Sequence, residues 1–480
     1  MSPSTVVYRF GDVEFDPLSG RVFRGTGCTQ LPATQSAILA YLIAHRGEVV
    51  SKDTLAEVAW RTQAVTDECV KQTISRLRRS VSAPARADAA KGRSLIETIP
   101  RSGYRFSASV ERADRYADGG TVGAGLTLSR AYLRGEAALH SLRRDRLDEA
   151  ERAFLDVLHA NPAHVNARVG MANLCALRFD ASRIDAVWLV GEPPRGVQHA
   201  RTAIERAPLS GDAWSALAFC QFLAGDIAEA AAAAEHSVDL EPDNWRHWLR
   251  LGYVSWGEKR IQAGRKMLRL YPAPFAYWLI ATTLIGRGLL ETALDVLRDG
   301  CAAQDSQVSR QSTFPAIGLH FLRGLVLGAQ NRLEEAADAI ARELSSLDHG
   351  QVYGRECAAG SWYALGAIRA RQRRHADAES AFANALTVAP AHLSTNAALG
   401  RPLRSLGSDD PRAVGAAMAR AAALARAGRH GDAARIYGEA VRASSLPSAG
   451  WILPVEPLIV PAAHPDVWAD TLAVIRQRSA

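Results

Sequence analysis

Apolar and polar residues alternate in three short stretches near the start of the chain. Residues 6–15 (VVYRFGDVEF) and 20–25 (GRVFRG) show the two-residue period that is typical of half-buried strands. Residues 95–110 (LIETIPRSGYRFSASV) contain two further strand-like runs around a turn signal at residues 100–103. These patterns predict strands at the start of the first domain and a hairpin at its end.

Between these stretches the apolar residues take the spacing of helices. Helices are predicted over residues 34–47, 51–60 and 66–81. Gly47 is suited to end the first helix, and Ser51 and Thr66 are suited to cap the second and third. Strands, three helices and a closing hairpin together predict a winged helix-turn-helix domain.

The third helix has one apolar face and one polar face. The apolar face, which is expected to pack on the domain core, consists of Val70, Ile74, Leu77 and Val81. The opposite face carries Glu68, Gln72, Ser75, Arg76 and Arg79, with Lys71 and Arg78 beside it. A helix face rich in hydrogen-bond donors suits the major groove of DNA. The alternative is a solvated face whose charges suit the helix dipole.

From residue 128 onward the chain is rich in Ala, Leu and Arg and predicts one helix after another. A fixed spacing of sixteen and then twelve residues recurs in two places, Trp214, Ala230, Pro242 and Trp362, Ala378, Pro390. This is the tetratricopeptide pattern of about 34 residues, each unit being a pair of helices. A small residue such as Gly366 lets the two helices approach, and Phe382 fills the remaining space. About eight units are expected over residues 131–447.

The predicted fold is an α+β winged helix-turn-helix domain followed by an all-α tetratricopeptide-repeat superhelix. The expected divisions are a DNA-binding domain, a Gly-rich linker, the array, and a C-terminal loop with a capping helix, at residues 1–110, 111–127, 128–447 and 448–480.

Charge and missing motifs narrow the function further. Residues 1–112 hold 16 Lys and Arg against 11 Asp and Glu, so the first domain carries most of the net charge of +7 and favours nucleic acid. The sequence has no Gly-Lys dipeptide, HExxH or GxSxG, so neither an enzyme nor a cofactor is expected. The six cysteines form no CxxC pair, which argues against a metal site. Without a signal peptide or a membrane-spanning run, we expect a cytoplasmic protein with no membrane partner.

The first part of the chain resembles the output domain of OmpR/PhoB-type regulators, particularly the CadC-like branch. The matching residues are Phe15-Asp16, Arg21 to Arg24, Leu31, Gly47 to Lys52, Leu55, Trp60, Thr66-Asp67, Val70, Ile74 to Arg79, and Ile96 to Phe106. The resemblance implies binding to double-stranded promoter DNA, with helix 66–81 in the major groove and hairpin 96–107 at a neighbouring minor groove. No receiver domain precedes the module, so control by aspartyl phosphorylation is not expected.

The resemblance and the polar face together give a set of candidate DNA-binding residues. Arg76 and Arg79 suit guanine edges, Gln72 suits adenine, and Lys52 suits a phosphate. The resemblance implies that Arg78 also contacts DNA and that Thr98 and Tyr104 help the hairpin bind the backbone. Several relatives carry an arginine where this hairpin has Pro100, and Arg101 is the expected substitute. The full set is Lys52, Glu68, Lys71, Gln72, Ser75, Arg76, Arg78, Arg79, Thr98, Arg101 and Tyr104.

A module of this type in front of a tetratricopeptide array resembles HilA-type activators and CadC-like regulators that lack a membrane anchor. The resemblance implies a one-component transcriptional regulator, an activator rather than a repressor. Its array would bind RNA polymerase, an effector protein or a small molecule, and a homodimer would occupy tandem sites. Two alternatives stay open: a protein-interaction scaffold whose array is the main functional part, and a SARP-like activator.

Overall fold

The computed structural model describes most of the chain and divides it into two compact units. The described residues are 5–17, 20–24, 27–60, 67–81, 95–115, 122–271, 273–309, 316–403 and 412–480. One unit comprises Met1–Ala176 with Gly191–His247, and the other comprises Leu177–Val190 with Trp248–Ala480.

The strands lie in the N-terminal domain and form two antiparallel sheets. Their bounds are β1 Thr5–Phe10, β2 Val13–Asp16, β3 Arg21–Arg24, β4 Gly27–Gln30, β5 Ile96–Ile99, β6 Gly103–Phe106 and β7 Glu111–Arg115. One sheet has the order β4-β3-β2-β1-β7, and β5 pairs with β6 alone. Val7, Phe10, Val13 and Phe15 are buried at alternate positions, as the two-residue period predicted.

Three helices follow β4 and precede β5 along the chain. With them the predicted winged-helix plan is confirmed. They are α1 Ala33–Ala44, α2 Lys52–Trp60 and α3 Asp67–Val81. Buried Leu39 and Leu42 of α1 and Ile74 and Leu77 of α3 contribute to the core of the domain. The β5–β6 hairpin, called the wing below, joins this core through Phe106, whose ring meets that of Phe10 edge to face at 5.2 Å.

Backbone hydrogen bonds attach the wing to the segment that precedes α2. Val50 and Tyr104 exchange a pair of N–H···O bonds of 2.8 and 2.9 Å, and Gly47 N donates to Phe106 O. Gly103 lies so close to this segment that a Cβ on it would be 2.0 Å from the Val50 carbonyl oxygen, and its φ is +140°. Only glycine fits at this position.

The segment 111–127, expected as a linker, is structured at both ends. Strand β7 pairs with β1 along its whole length, from Thr5 opposite Arg115 to Arg9 opposite Glu111, and the next helix begins at Val122. The sequence gives little sign of β7 because residues 111–115 (ERADR) lack alternating apolar residues. The ladder with β1 supplies the backbone hydrogen bonds that make this polar segment a strand.

The remaining helices form the repeat array. Their bounds are α4 Val122–His140, α5 Leu147–Ala160, α6 Val165–Ser182, α7 Glu192–Arg206, α8 Gly211–Ala224, α9 Ile227–Leu240, α10 Trp245–Val254, α11 Glu258–Leu270, α12 Pro274–Gly286, α13 Leu290–Ser309, α14 Leu319–Ala329, α15 Leu333–Ser346, α16 Gly354–Arg371, α17 His375–Val388, α18 Leu393–Ala398, α19 Ala413–Arg426, α20 His430–Ala443 and α21 Pro465–Ser479. Neighbouring helices pack as pairs, for example α4 with α5, α8 with α9, and α16 with α17. The all-helical array that the repeat spacing predicted is therefore confirmed.

Close approach of small residues to a phenylalanine defines the helix pairs. A Cβ on Gly366 would lie 2.6 Å from the ring of Phe382, and one on Gly135 would lie 2.7 Å from the ring of Phe154. These are the contacts that the repeat pattern predicted for the small and large positions of a unit. At the end of the chain, α21 packs on α20 and buries Trp468.

In the described parts of the chain, no helix is both long enough and apolar enough to cross a bilayer.

Candidate nucleic-acid interface

Helix α3 packs on the domain through one side only. Cys69, Val70, Thr73, Ile74, Leu77 and Val81 are its buried residues, and they include all four positions of the predicted apolar face. At its C-terminal end, Arg24 Nη2 donates to the Val81 carbonyl oxygen at 2.6 Å, a contact from β3 that no local pattern predicted. The helix is therefore held firmly while its other side is left for contacts.

Four of the candidate residues are exposed along that other side, namely Glu68, Lys71, Ser75 and Arg79. Lys71 Nζ lies 3.2 Å from Glu68 Oε2, an exposed pair within the helix. Such pairs are worth little in water and exchange readily for other partners. Arg79 offers the flat, multiply donating guanidinium that recognises guanine or phosphate.

Lys52 at the start of α2 is paired with the N-terminal end of α3. Its ammonium group forms an ion pair with the Asp67 carboxylate. The hydrogen bond between them raises the pKa of Lys52 and lowers the pKa of Asp67. A phosphate that binds Lys52 would therefore compete with Asp67. The predicted capping residue Thr66 lies outside the described residues.

Arg78 contacts the wing instead of projecting from the helix face. Its Nε donates to Ile96 O at 2.9 Å, its Nη2 donates to Thr98 Oγ1 at 2.8 Å, and its guanidinium lies 5.8 Å from the centre of the Tyr104 ring. Tyr104 is only 4% exposed, so its side chain packs inside the domain. We therefore assign Arg78 and Tyr104 to positioning the wing against α3.

The tip of the wing carries the predicted substitute arginine. Ser102 N donates to Ile99 O at 3.1 Å and closes the turn, at which Arg101 is exposed with a φ of +64°. A left-handed backbone is uncommon for arginine and marks this tip as a specialised turn. In the stem, Arg105 Nη2 pairs with Glu97 Oε2 across the strands at 2.7 Å, and it adds a basic residue that the candidate set omitted.

Two candidates for reading bases, Gln72 and Arg76, lie against the repeat array. Arg76 forms an ion pair with Asp243, and the side chains are 30% and 21% exposed. With its amide nitrogen turned toward Asp243, Gln72 lies 2.7 Å from the carboxylate oxygen Oδ2. Cys69 Sγ is 3.9 Å from the backbone oxygen of Asp243. No sequence pattern pointed to this contact, because its partners are 167 residues apart.

Two protein-family models match parts of the chain. Residues 26–106 match the family model described as "Transcriptional regulatory protein, C terminal", and residues 183–239 match a tetratricopeptide repeat model. The first is a family of transcriptional regulators, a non-enzymatic class, in agreement with the sequence prediction. Within the described residues, no group of His, Cys, Asp or Glu could hold a metal ion.

Individual relatives match about a fifth of the chain. The chain is 32% identical over 103 residues, 20% of its own length, to the "Cholera toxin homolog transcriptional activator" of Vibrio parahaemolyticus, and 32% identical over 93 residues, 19% of its length, to the "Transcriptional regulator HilA" of Salmonella typhimurium. Among solved structures, the DNA-binding domain of Escherichia coli CadC is 27% identical and covers 23% of this chain and 99% of its own, with a TM-score of 0.21.

These matches cover 34% of the Vibrio relative and 16% of the Salmonella relative, so the chain spans about a third or less of the length of these curated relatives. The family model, in turn, spans α1 to α3 and the wing. This part of the chain is therefore an OmpR/PhoB-type DNA-binding domain resembling those of CadC and HilA, and tetratricopeptide repeats follow it.

Proposed function

We propose that the protein is a one-component transcriptional regulator that acts in the cytoplasm, binds double-stranded promoter DNA and activates transcription. The observation that carries the proposal is the exposed polar face of α3, with Arg79 on it, inside a domain that matches a DNA-binding family. Relatives that are named as activators support the direction of regulation.

The proposed mechanism divides the candidate residues by task. Lys52, Lys71 and Arg101 neutralise phosphates and place the domain on the duplex. The face of α3 then enters the major groove, where Arg79 donates to guanine. Arg78 keeps the wing at a fixed distance from α3, so that Arg101 meets the backbone when α3 is in the groove.

The repeat array is proposed to receive the signal or the partner. Stacked tetratricopeptide units form extended concave surfaces that suit proteins and peptides. RNA polymerase or an effector is the expected class of partner, and two copies of the chain on tandem sites are expected by analogy with OmpR-type modules.

The proposal is tested with the full chain and genomic DNA fragments that it retains on a gel. Arg79→Ala should weaken binding to a retained fragment by about 1–3 kcal/mol, which is roughly 5- to 150-fold. Arg298→Ala is the matched control, because it removes an equally basic side chain, 69% exposed, from the array.

The competitor experiment separates regulator from scaffold. If the protein is a regulator, an excess of the same fragment without label displaces the retained fragment, whereas an equal excess of random duplex does not. Equal release by both competitors, with no effect of Arg79→Ala, would favour the scaffold alternative.

A further inference from the structure

The winged domain lies against the turns that join successive helix pairs within its own compact unit. Arg21 Nη2 donates to the carbonyl oxygen of Arg206 at the end of α7, at 3.3 Å. Asp16 is close enough to His164, in the turn after α5, to act on it electrostatically. Asp243, in the turn after α9, contacts α3. Three consecutive turns of the array therefore face the DNA-binding domain.

One of these turns has a distinctive sequence. The turns share a proline, and the residue that follows it is Ala163, Leu209, Asp243 or Ala391 in four related turns. Only Asp243 among these four is charged, and it is the one that meets Arg76.

Residues 241–244, called the docking turn below, are held rigidly. Asn244 Nδ2 donates to Glu241 Oε2 at 3.1 Å, and Asn244 N donates to Glu241 O at 3.0 Å. Buried His247 lies beneath, with its Nε2 3.1 Å from Asn244 Nδ2. Gly211 leaves no spare room, because a Cβ there would be 2.7 Å from His247 Nε2. Asp243 is therefore presented by a packed turn.

Asp243 of the docking turn contacts a row of α3 residues that includes two candidates for reading bases, Gln72 and Arg76. Cys69, Gln72 and Arg76 are spaced by three and four residues and lie side by side on the helix, and all three contact Asp243. A carboxylate takes the same donors as a phosphate oxygen or a guanine edge. One Arg76 guanidinium cannot serve Asp243 and a base at once.

We propose that the docking turn is an autoinhibitory element, which occupies Arg76 and Gln72 and must leave α3 before DNA can enter. The inference rests on the proposed function, since an inhibitor of DNA binding presupposes DNA binding. It adds a regulatory role for the array: a partner that binds the array and draws residues 241–244 away would increase DNA affinity. Because only open molecules bind DNA, the apparent affinity of the resting chain is the affinity of the open state multiplied by the fraction of molecules that are open.

The test compares full-length variants with a fluorescein-labelled duplex of mixed sequence in an anisotropy titration. Asp243→Asn should lower the dissociation constant about 5- to 10-fold, in the range of allosteric coupling. Asp239→Asn is the matched control, because it removes the same charge from an exposed site on α9, one turn away, and should change affinity less than about two-fold. Equal shifts in the two variants would overturn the proposal.

A second readout detects undocking without DNA. Burial and the negative charge of Asp243 raise the pKa of the Cys69 thiol to about 11, and Arg76 acts in the opposite direction. If only the local charge mattered, Arg76→Ala would raise the pKa of Cys69 further and so slow its alkylation by iodoacetamide. Undocking exposes the thiol, so we expect faster alkylation, measured on the Cys69 peptide by mass spectrometry, with Arg79→Ala unchanged as the control.

The two readouts separate the two proposals. Slower or unchanged alkylation in Arg76→Ala would overturn the docking contact while leaving DNA binding in place. Faster alkylation with no duplex binding by any variant would instead refute the proposed function, and the inhibitory role with it.

Discussion

Replacing Arg78 with alanine removes three contacts that connect α3 to the wing. Two are hydrogen bonds of 2.9 and 2.8 Å, to Ile96 O and Thr98 Oγ1, and the third is the approach of the guanidinium to the Tyr104 ring. A hydrogen bond of this kind is worth about 1 kcal/mol when partly exposed, and the ring contact about 0.5 kcal/mol. We expect the wing to lose about 2.5 kcal/mol of local stability.

The assay for Arg78→Ala is hydrogen exchange of the backbone amides of residues 96–106 in the full chain. A loss of about 2.5 kcal/mol corresponds to exchange that is roughly 70-fold faster, while the amides of the array keep their rates. Arg78→Lys should recover only part of the protection, since lysine keeps the charge but cannot donate in the two directions that the guanidinium uses. Arg79→Ala, on the exposed face, is the control and should leave the wing unchanged.

The same variant distinguishes a positioning residue from a DNA-reading residue. A positioning role predicts weaker binding to every sequence alike, because a loosened wing no longer meets the backbone. Unchanged exchange in the wing, together with a lost base preference at a single position, would refute the assignment and restore Arg78 to the set of direct contacts.

Two further predictions concern packing and pH. Gly103→Ala should lower the melting temperature of the N-terminal domain far more than Gly47→Ala, since both have positive φ but only Gly103 would place its Cβ 2.0 Å from a carbonyl oxygen. Burial lowers the pKa of His247, but the hydrogen bond to Glu241 and the attraction of Glu241 and Asp212 outweigh it, so the pKa is raised. Protonated His247 therefore stabilises the folded chain fully below about pH 6.5, and this stabilisation is lost as the pH rises through the raised pKa. His247→Asn should remove this dependence of the melting temperature on pH. An unchanged dependence in the variant would contradict the assignment.

Local patterns were sufficient to predict the elements that bury an apolar face. The spacing of Val70, Ile74 and Leu77 predicted both the existence of α3 and the side that it buries, because the helical period that puts apolar residues on one side is visible in the local sequence. The repeat spacing likewise predicted the contact of Gly366 with Phe382. Strand β7 was missed since its polar residues are ordered by the ladder with β1 and not by their own pattern.

Contacts between distant residues decided the rest of the candidate site. Helical spacing placed Arg76 and Arg79 on the polar face and Arg78 beside it, yet each meets a different environment: Arg76 meets Asp243, Arg78 meets the wing, and Arg79 meets solvent. A helical wheel resolves direction to within a few tens of degrees and carries no information about what the fold brings alongside.

Whether α3 reads duplex DNA is decided by selecting bound sequences from a random duplex pool with full-length Asp243→Asn and with the same variant carrying Arg79→Ala. We expect an enriched motif from the first protein and loss of preference at one guanine position from the second, with the neighbouring positions retained. An absence of enrichment, or an identical motif from both proteins, would contradict this expectation.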